Sequence, residues 1–216
     1  ISLGLVGSEM CIRDRASKDF EVLQVVSQVL YNGKAGLIDL DLNQQQKVLN
    51  SYGYPMGLAD YSAFILGGLP KQGQMLEEVK DLLLNEIKKL RAGEFDEKML
   101  QANINNFKLY ELQSMESNEG RADIFVNSFI NGTNWEDEVT AIDRMAKLTK
   151  EDIVAFADKY LKEDNYAVVY KKQGKDPNEK KMTKPEITPI VSNRDVASPF
   201  LTSIPVSYTH LTLPTN

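Results

Sequence analysis

The chain has one cysteine and one histidine in 216 residues, and both sit near its ends, at Cys11 and His210. A single cysteine forms no disulfide within the chain. The long stretch between those two residues has no thiol nucleophile, no Ser–His pair, no histidine general base and none of the commonest zinc ligands. The shortage of cysteine fits the cytoplasm and the periplasm equally and sets no compartment. No apolar run approaches the ~20 residues needed to span a bilayer. Positive charge is also short, with Lys+Arg 25 against Asp+Glu 31 and a net charge of −6. An acidic chain without a basic cluster makes nucleic acid an unfavoured partner. There is no phosphate loop and no Gly-x-Gly-x-x-Gly opening a helix. Gly67-Gly68 with Gly73 is interrupted by Pro70, and reads as a turn between a strand and a helix.

The two ends are related to each other. Met10-Cys11-Ile12-Arg13-Asp14-Arg15 back-translates as ATG TGT ATA AGA GAC AG. The reverse complement of that DNA encodes Val-Ser-Tyr-Thr-His, which is Val206-Ser207-Tyr208-Thr209-His210. Two natural tails would rarely encode opposite strands of one short DNA, and that DNA resembles the transposase end of sequencing-library adapters. Residues 1–15 and 206–216 therefore read as translated adapter and are set aside in the expected fold. Removing them takes away Cys11 and His210. The net charge is unchanged, because residues 1–15 carry two acids (Glu9, Asp14) and two bases (Arg13, Arg15) and residues 206–216 carry neither.

What remains is ordinary for a globular domain, with 42% hydrophobic residues in the whole chain. Residues 16–173 are expected to fold and 174–205 to form a linker. Val22, Leu23, Val26, Val29 and Leu30 recur at helical spacing in a predicted helix over 20–32. Residues 37–48 are mixed, with a short helix expected over 42–48. Two strands follow, over 48–53 and 60–66, the second ended by Gly67-Gly68-Leu69-Pro70. The strongest helix spans 74–91. Met75, Val79, Leu82, Leu83, Ile87 and Leu90 form its apolar stripe, and Glu77, Glu78, Lys80, Asp81, Glu86, Lys88 and Lys89 cover the other side. Asp96 is placed to cap the next helix, to about residue 115, with Phe95 able to staple against Leu100. A break is expected near Gly120, then a helix over 121–130. Asn134 can cap a helix carrying Trp135, Val139, Ile142 and Met145. Thr149 with Asp152 forms a capping-box pattern opening the last helix, to about residue 161. Tyr166–Lys171 is a short strand. Gly174, Pro177, Pro185, Pro189 and Pro199 then punctuate a polar, lysine-rich, partly extended stretch. Segregated strands and helices predict an α+β layered domain, an antiparallel sheet covered by helices, followed by that linker.

Several polar groups invite a chemical reading. Asp39 and Asp41 form an acidic pair, but no Gly at the sixth position and no Glu at the twelfth completes a calcium loop. Glu77, Glu78 and Asp81 read as a solvated ion-pair face. Glu136-Asp137-Glu138 suits the first turn of a helix. Tyr52, Tyr54 and Tyr61 read as a half-buried aromatic patch on the sheet. None forms a catalytic carboxylate pair, so no catalytic, cofactor-binding or metal-binding residue is assigned.

The order of segments carries a resemblance. Leu23-Gln24-Val25-Val26-Ser27-Gln28-Val29-Leu30, Gly36-Leu37-Ile38-Asp39, Phe64-Ile65-Leu66-Gly67-Gly68 and Leu76-Glu77-Glu78-Val79 come first. Leu90-Arg91-Ala92-Gly93-Glu94-Phe95, Leu148-Thr149-Lys150-Glu151-Asp152-Ile153, Ala157-Asp158-Lys159-Tyr160-Leu161 and Tyr166-Ala167-Val168-Val169-Tyr170 follow. Together, over about residues 20–173, they resemble the second, non-metal-binding domain of insulinase (pitrilysin) family zinc metallopeptidases. Lys184-Pro185-Glu186-Ile187-Thr188-Pro189, Asn193-Arg194-Asp195 and Ser198-Pro199-Phe200 look like the connector between the halves of a long bacterial member. The resemblance implies an α/β roll in a clamshell of four related domains. It implies zinc held in the first domain by His-x-x-Glu-His and a distal Glu, and a Glu acting on the zinc-bound water. None of those residues maps onto this chain. The chain would be an internal fragment that binds no zinc itself. Its partners would be the remaining domains of the same protein and, in the intact enzyme, a peptide substrate, with the periplasm or cell envelope the expected compartment. The alternative is a piece of a non-catalytic homologue that binds peptides or pairs with an active partner.

Overall fold

The computed structural model describes residues 3–6, 12–13, 17–58, 61–172, 183–187 and 197–203. The chain divides into two units, Ile1–Gly174 and Lys175–Asn216.

The first unit is built on helix α1, Lys18–Leu30. Ser17 Oγ caps it by accepting the N–H of Phe20 at 3.3 Å. Leu23, Val26, Val29 and Leu30 are fully buried, and Phe20 and Val25 nearly so. The following turns are tied down by side chains. Asn32 Oδ1 accepts the N–H of Lys34 and of Ala35, and buried Asp39 Oδ2 accepts the N–H of Asn32 and of Gly36, each at 3.0 Å. The helical turn comes earlier than expected, at Asp39–Asn43, and is wound as a π-helix, with the N–H of Gln44 donating to Asp39 O. Asn43 then acts as a short piece of strand. Its side-chain amide donates to Ser51 O and accepts the N–H of Ser51, both at 2.8 Å.

The sheet is antiparallel. Strands β3 (Asn50–Met56) and β4 (Tyr61–Leu69) pair from Asn50↔Leu69 to Met56↔Ala63. Strand β1, Leu3–Val6, lies between β4 and β5 (Ala167–Tyr170). Strand β2, Ile12–Arg13, pairs with β4 at Ser62 and Tyr61. Leu3–Val6 and Ile12–Arg13, expected to be set aside from the fold, instead pair within the sheet, and Leu3–Val6 completes it. Without it, β4 and β5 would each present an open edge of unpaired N–H and C=O groups. The bonds that close those edges are main-chain bonds, so a short β-competent run of any origin can supply them.

Helix α2, Leu76–Arg91, packs its stripe on the sheet, with Val79, Leu83 and Leu90 fully buried. Asp96 Oδ1 accepts the N–H of Lys98 at the start of α3, Lys98–Met115. The break expected near Gly120 falls at Glu116–Ser117, so Gly120 lies inside the next helix. Ser117 caps α4, Asn118–Asn131, by accepting the N–H of Gly120 at 2.9 Å, and Gly132 ends the helix in the left-handed region. The single helix expected after Asn134 is two, α5 (Trp135–Val139) and α6 (Ala141–Met145), parted at Thr140 with φ −105 and ψ 2. The Thr149–Asp152 capping box is formed at α7, Lys150–Tyr160. In the second unit, residues 183–187 have no regular structure and Pro199–Ser203 form the short helix α8. The rest of the expected linker, and residues 206–216, lie outside the described residues.

Gly67-Gly68 is not the turn expected. Both residues lie inside β4, one facing each way. A Cβ on Gly68 would stand 2.5 Å from Val79 Cγ1 and 3.3 Å from Leu83 Cδ1 of α2. A Cβ on Gly67 would stand 2.2 Å from the ring of Tyr52 on the outer face. The pair sets how closely α2 and the tyrosine approach the strand. Gly68→Ala should therefore cost about 1–3 kcal/mol, since Val79 and Leu83 are core residues with nowhere to move. Gly67→Ala should cost less, and that cost should vanish when Tyr52 is also Ala. Urea denaturation of the two single mutants and the double mutant checks both expectations.

Candidate functional surfaces

The acidic groups singled out in the sequence are placed apart. Asp39 is consumed by the turn it ties. Asp41 accepts an ion pair from Lys89 Nζ at 2.6 Å, and Lys89 also reaches Glu86 Oε1 at 3.0 Å. Glu86, expected on the solvent side of α2, is buried at 1% exposure. It lies where the apolar stripe passes between Leu83 and Leu90, and the helix leaves it no path to water. Burial pushes the Glu86 carboxyl up, and Lys89 only partly offsets it. Burial pulls the Lys89 ammonium down, but Asp41 and Glu86 outweigh it and leave it raised. These groups fasten α2 to the π turn and are not arranged for proton transfer. Glu77, Glu78 and Asp81 are exposed, with Asp81 paired to Lys80 at 3.2 Å.

Two surfaces remain. On the outer face of the sheet, Tyr52 and Tyr54 lie with ring centroids 6.1 Å apart, and Tyr54, Met56, Tyr61 and Val169 are exposed. This is the aromatic patch expected from the strand alternation, with Tyr61 on the neighbouring strand.

The other surface has no counterpart in the sequence reading. Helix α3 buries Leu100, Asn103 and Ile104 in its first half, but Leu109, Tyr110 and Leu112 beyond them are exposed. On α4, Phe125, Val126, Phe129 and Ile130 are exposed as well, Phe129 at 88%. Between these helices, α1, α5 and α6 lies a groove of about 490 Å³. Phe20, Phe107, Ile142 and Met145 contribute apolar lining, and Glu21, Glu111, Asp137 and Glu138 bring carboxylates. Arg144 Nε and Nη2 hold Glu21 at 3.0 and 2.5 Å, and the same guanidinium donates to Asp137 O and Thr140 Oγ1. Burial pushes the Glu138 carboxyl up, and the charges of Glu21 and Glu111 add to it, with Arg144 opposing. The run Glu136-Asp137-Glu138 was visible as a helix-start pattern. Its approach to Glu21 and Glu111 depends on the path of α3 and α4, and no local signal shows it.

Among the described residues no group of three or more His, Cys, Asp or Glu could hold a metal. The described carboxylates named above are tied to backbone or cations, exposed on α2, or spread along the groove, and do not fit a zinc centre. Among the described residues no helix is long and apolar enough to cross a membrane.

No family profile and no curated relative matches the chain. Solved structures do. A protease from Helicobacter pylori superposes with a TM-score of 0.69 at 20% identity, over 77% of this chain and 39% of that one. A chain described as the inactive peptidase domain of a candidate zinc protease from Bordetella parapertussis gives 0.68 at 16% identity, over 78% and 90%. The peptidase M16 inactive domain from Pseudomonas fluorescens gives 0.65 at 16%, over 77% and 39%. The chain thus spans about two-fifths of the Helicobacter protein and nearly all of the Bordetella domain. At these identities the likeness establishes the fold, which is that of M16 inactive domains: an antiparallel sheet packed against helices, as the sequence pattern predicted.

The Glu86 cluster has a measurable signature. Lys89→Met leaves a buried carboxylate without its cation. It should cost about 3 kcal/mol near pH 8, the low end for one partner of a buried pair because Lys89 stays partly exposed. The raised Glu86 carboxyl takes up a proton more readily in the folded state. The penalty is therefore full above its folded pKa and shrinks as the pH falls through it. Urea unfolding of mutant and parent near pH 5 and pH 8 checks the sign.

Proposed function

We propose that this chain is the non-metal-binding domain of an insulinase (pitrilysin) family zinc metalloendopeptidase, from the first half of a long bacterial member. It supplies packing surface and chamber wall and no catalytic residue. The observation that carries the reading is its likeness, along nearly the whole of one such chain, to inactive peptidase domains. The exposed apolar half of α3–α4 supports it. A domain working alone rarely leaves Leu112, Phe125, Phe129 and Ile130 all in water, whereas a domain covered by its neighbours can.

In this reading residues 16–173 are the domain and 174–205 the connector to a second half. Residues 1–15 and 206–216 are translated adapter that interrupts the natural protein, with Leu3–Val6 occupying a strand position that the natural sequence would fill. Peptide hydrolysis belongs to a zinc centre on another domain, where a glutamate works on zinc-bound water. The residues described here contribute position alone. The expected compartment is the periplasm or cell envelope.

Recovery of the uninterrupted gene tests the proposal. A His-x-x-Glu-His motif upstream of residue 16 is expected, and its absence would favour the non-catalytic homologue. Metal analysis of the purified 216-residue chain should find no stoichiometric zinc, and the chain should cleave no peptide. One tightly bound zinc per chain would overturn the assignment.

A further inference from the structure

We propose that the interval between β4 and β5 is a strand-acceptor slot, one that binds an extended segment of a second polypeptide, antiparallel to both walls, with apolar side chains at alternate positions. The slot follows from the strand pairing and is independent of the domain assignment above.

In this chain four residues fill the slot and are held from both sides. Leu3–Val6 pairs with β4 from Leu3↔Gly68 to Val6↔Ile65, and with β5 from Leu3↔Tyr170 to Val6↔Ala167. Both pairings are antiparallel, so β4 and β5 run parallel to each other, about 9–10 Å apart across the slot. Other elements fix the two walls. β4 pairs along its length with β3, and its Gly68 lies against Val79 and Leu83 of α2. β5 follows α7, where Leu161 is buried, Asn165 Nδ2 donates to Tyr160 O at 3.1 Å, and Arg91 of α2 holds Asp158 at 2.8 Å. The core side of the slot is apolar. The positions between Leu66 and Val168 and between Gly68 and Tyr170 share the face on which Leu66 is buried and Val168 and Tyr170 pack against the core. The position between Gly67 and Val169 points outward, where Val169 is 57% exposed, and takes a polar side chain. The required pattern is therefore apolar, any, apolar. Main-chain bonds supply the affinity and along two edges at once, whereas ordinary strand addition uses one. Such bonds do not distinguish a tethered segment from a separate one of the same pattern.

Leu5→Pro in the 216-residue chain opens the slot, because proline lacks the ladder donor and its ring blocks pairing. The variant should keep its helical circular dichroism and lose about 5 °C or more in Tm. Amide exchange at Leu66–Gly68 and Val168–Val169 should quicken. A synthetic peptide alternating valine and threonine, added in trans, should restore both the Tm and the slow exchange saturably. The same peptide N-methylated at alternate backbone nitrogens keeps its side chains but loses donors, and should restore neither. Equal rescue by the methylated peptide overturns the proposal. So does slow exchange in the variant without peptide, which would mean that β4 closes directly on β5 or that a second copy covers both edges. Should the variant fail to fold, the parent decides. The alternating peptide with a photoreactive group at its centre, incubated with the parent while Leu3–Val6 exchanges in and out, should crosslink to β4 or β5, as read by mass spectrometry. Crosslinks confined to other elements, or none, overturn the proposal.

Discussion

Helix α1 has almost no free side, and the rest of residues 17–170 is arranged to cover it. Phe20, Leu23, Val25 and Val29 point in several directions around the helix and all are buried. Such a helix is stable only when surrounded, because each of these side chains contributes about 1.5–3 kcal/mol when taken from water and loses it when exposed. The sheet, α3, α6 and α7 provide the cover. The two acids in its first turn do double duty. They suit the positive end of the helix dipole, and they reach the covering helices. Asp19 accepts the hydroxyl of Tyr160 and pairs with Lys159 on α7. Glu21 holds Arg144 on α6. The core and the rim of the groove are therefore set by the same helix.

What was legible in the sequence follows how local the cause is. The α2 stripe from Val79 to Leu90, the Thr149–Asp152 capping box and the alternation of β4 each depend on neighbours within a few residues, and each stands where the pattern put it, whereas Met75, expected to open the stripe, is the N-cap of α2 and is exposed. The features that escaped depend on distant contacts. Gly67-Gly68 reads as a turn by composition, yet lies inside β4 because Val79, Leu83 and Tyr52 need the space. Glu86 reads as solvent-facing by charge, yet is buried between Leu83 and Leu90, with Lys89 as its cation. Asp39 and Asp41, two residues apart, look like a pair and serve unrelated purposes. The aromatic patch at Tyr52, Tyr54 and Tyr61 was readable because strand alternation alone puts these rings on one face. The acidic groove was not, since its carboxylates come from α1, α3 and α5.

The polar chemistry of the first unit is mostly mechanical. Asp39 orders a turn, Asn43 imitates a strand partner for Ser51, and Lys150 donates to Phe95 O while lying over its ring. Arg91 reaches Asp158 at 2.8 Å between α2 and α7. These groups are satisfied by one another, which is how a fold keeps buried polar atoms without cost to its stability. By contrast the α3–α4 hairpin leaves both apolar side chains and carboxylates without such use. Function in this domain is therefore to be sought on surfaces left uncovered, where no internal requirement accounts for the residues present.

The acids of the groove sharpen that distinction. Glu136 and Asp137 have a local reason, because they stand in the first turn of α5 behind the Asn134 cap, where negative charge is favoured. Glu21 has another in Arg144. Glu111 lies well inside α3, far from the favourable end of its dipole, and lines the same groove as Glu138. Helix formation supplies no reason for a carboxylate at Glu111. Carboxylates that folding does not need, beside apolar side chains that folding leaves in water, are a property of the surface.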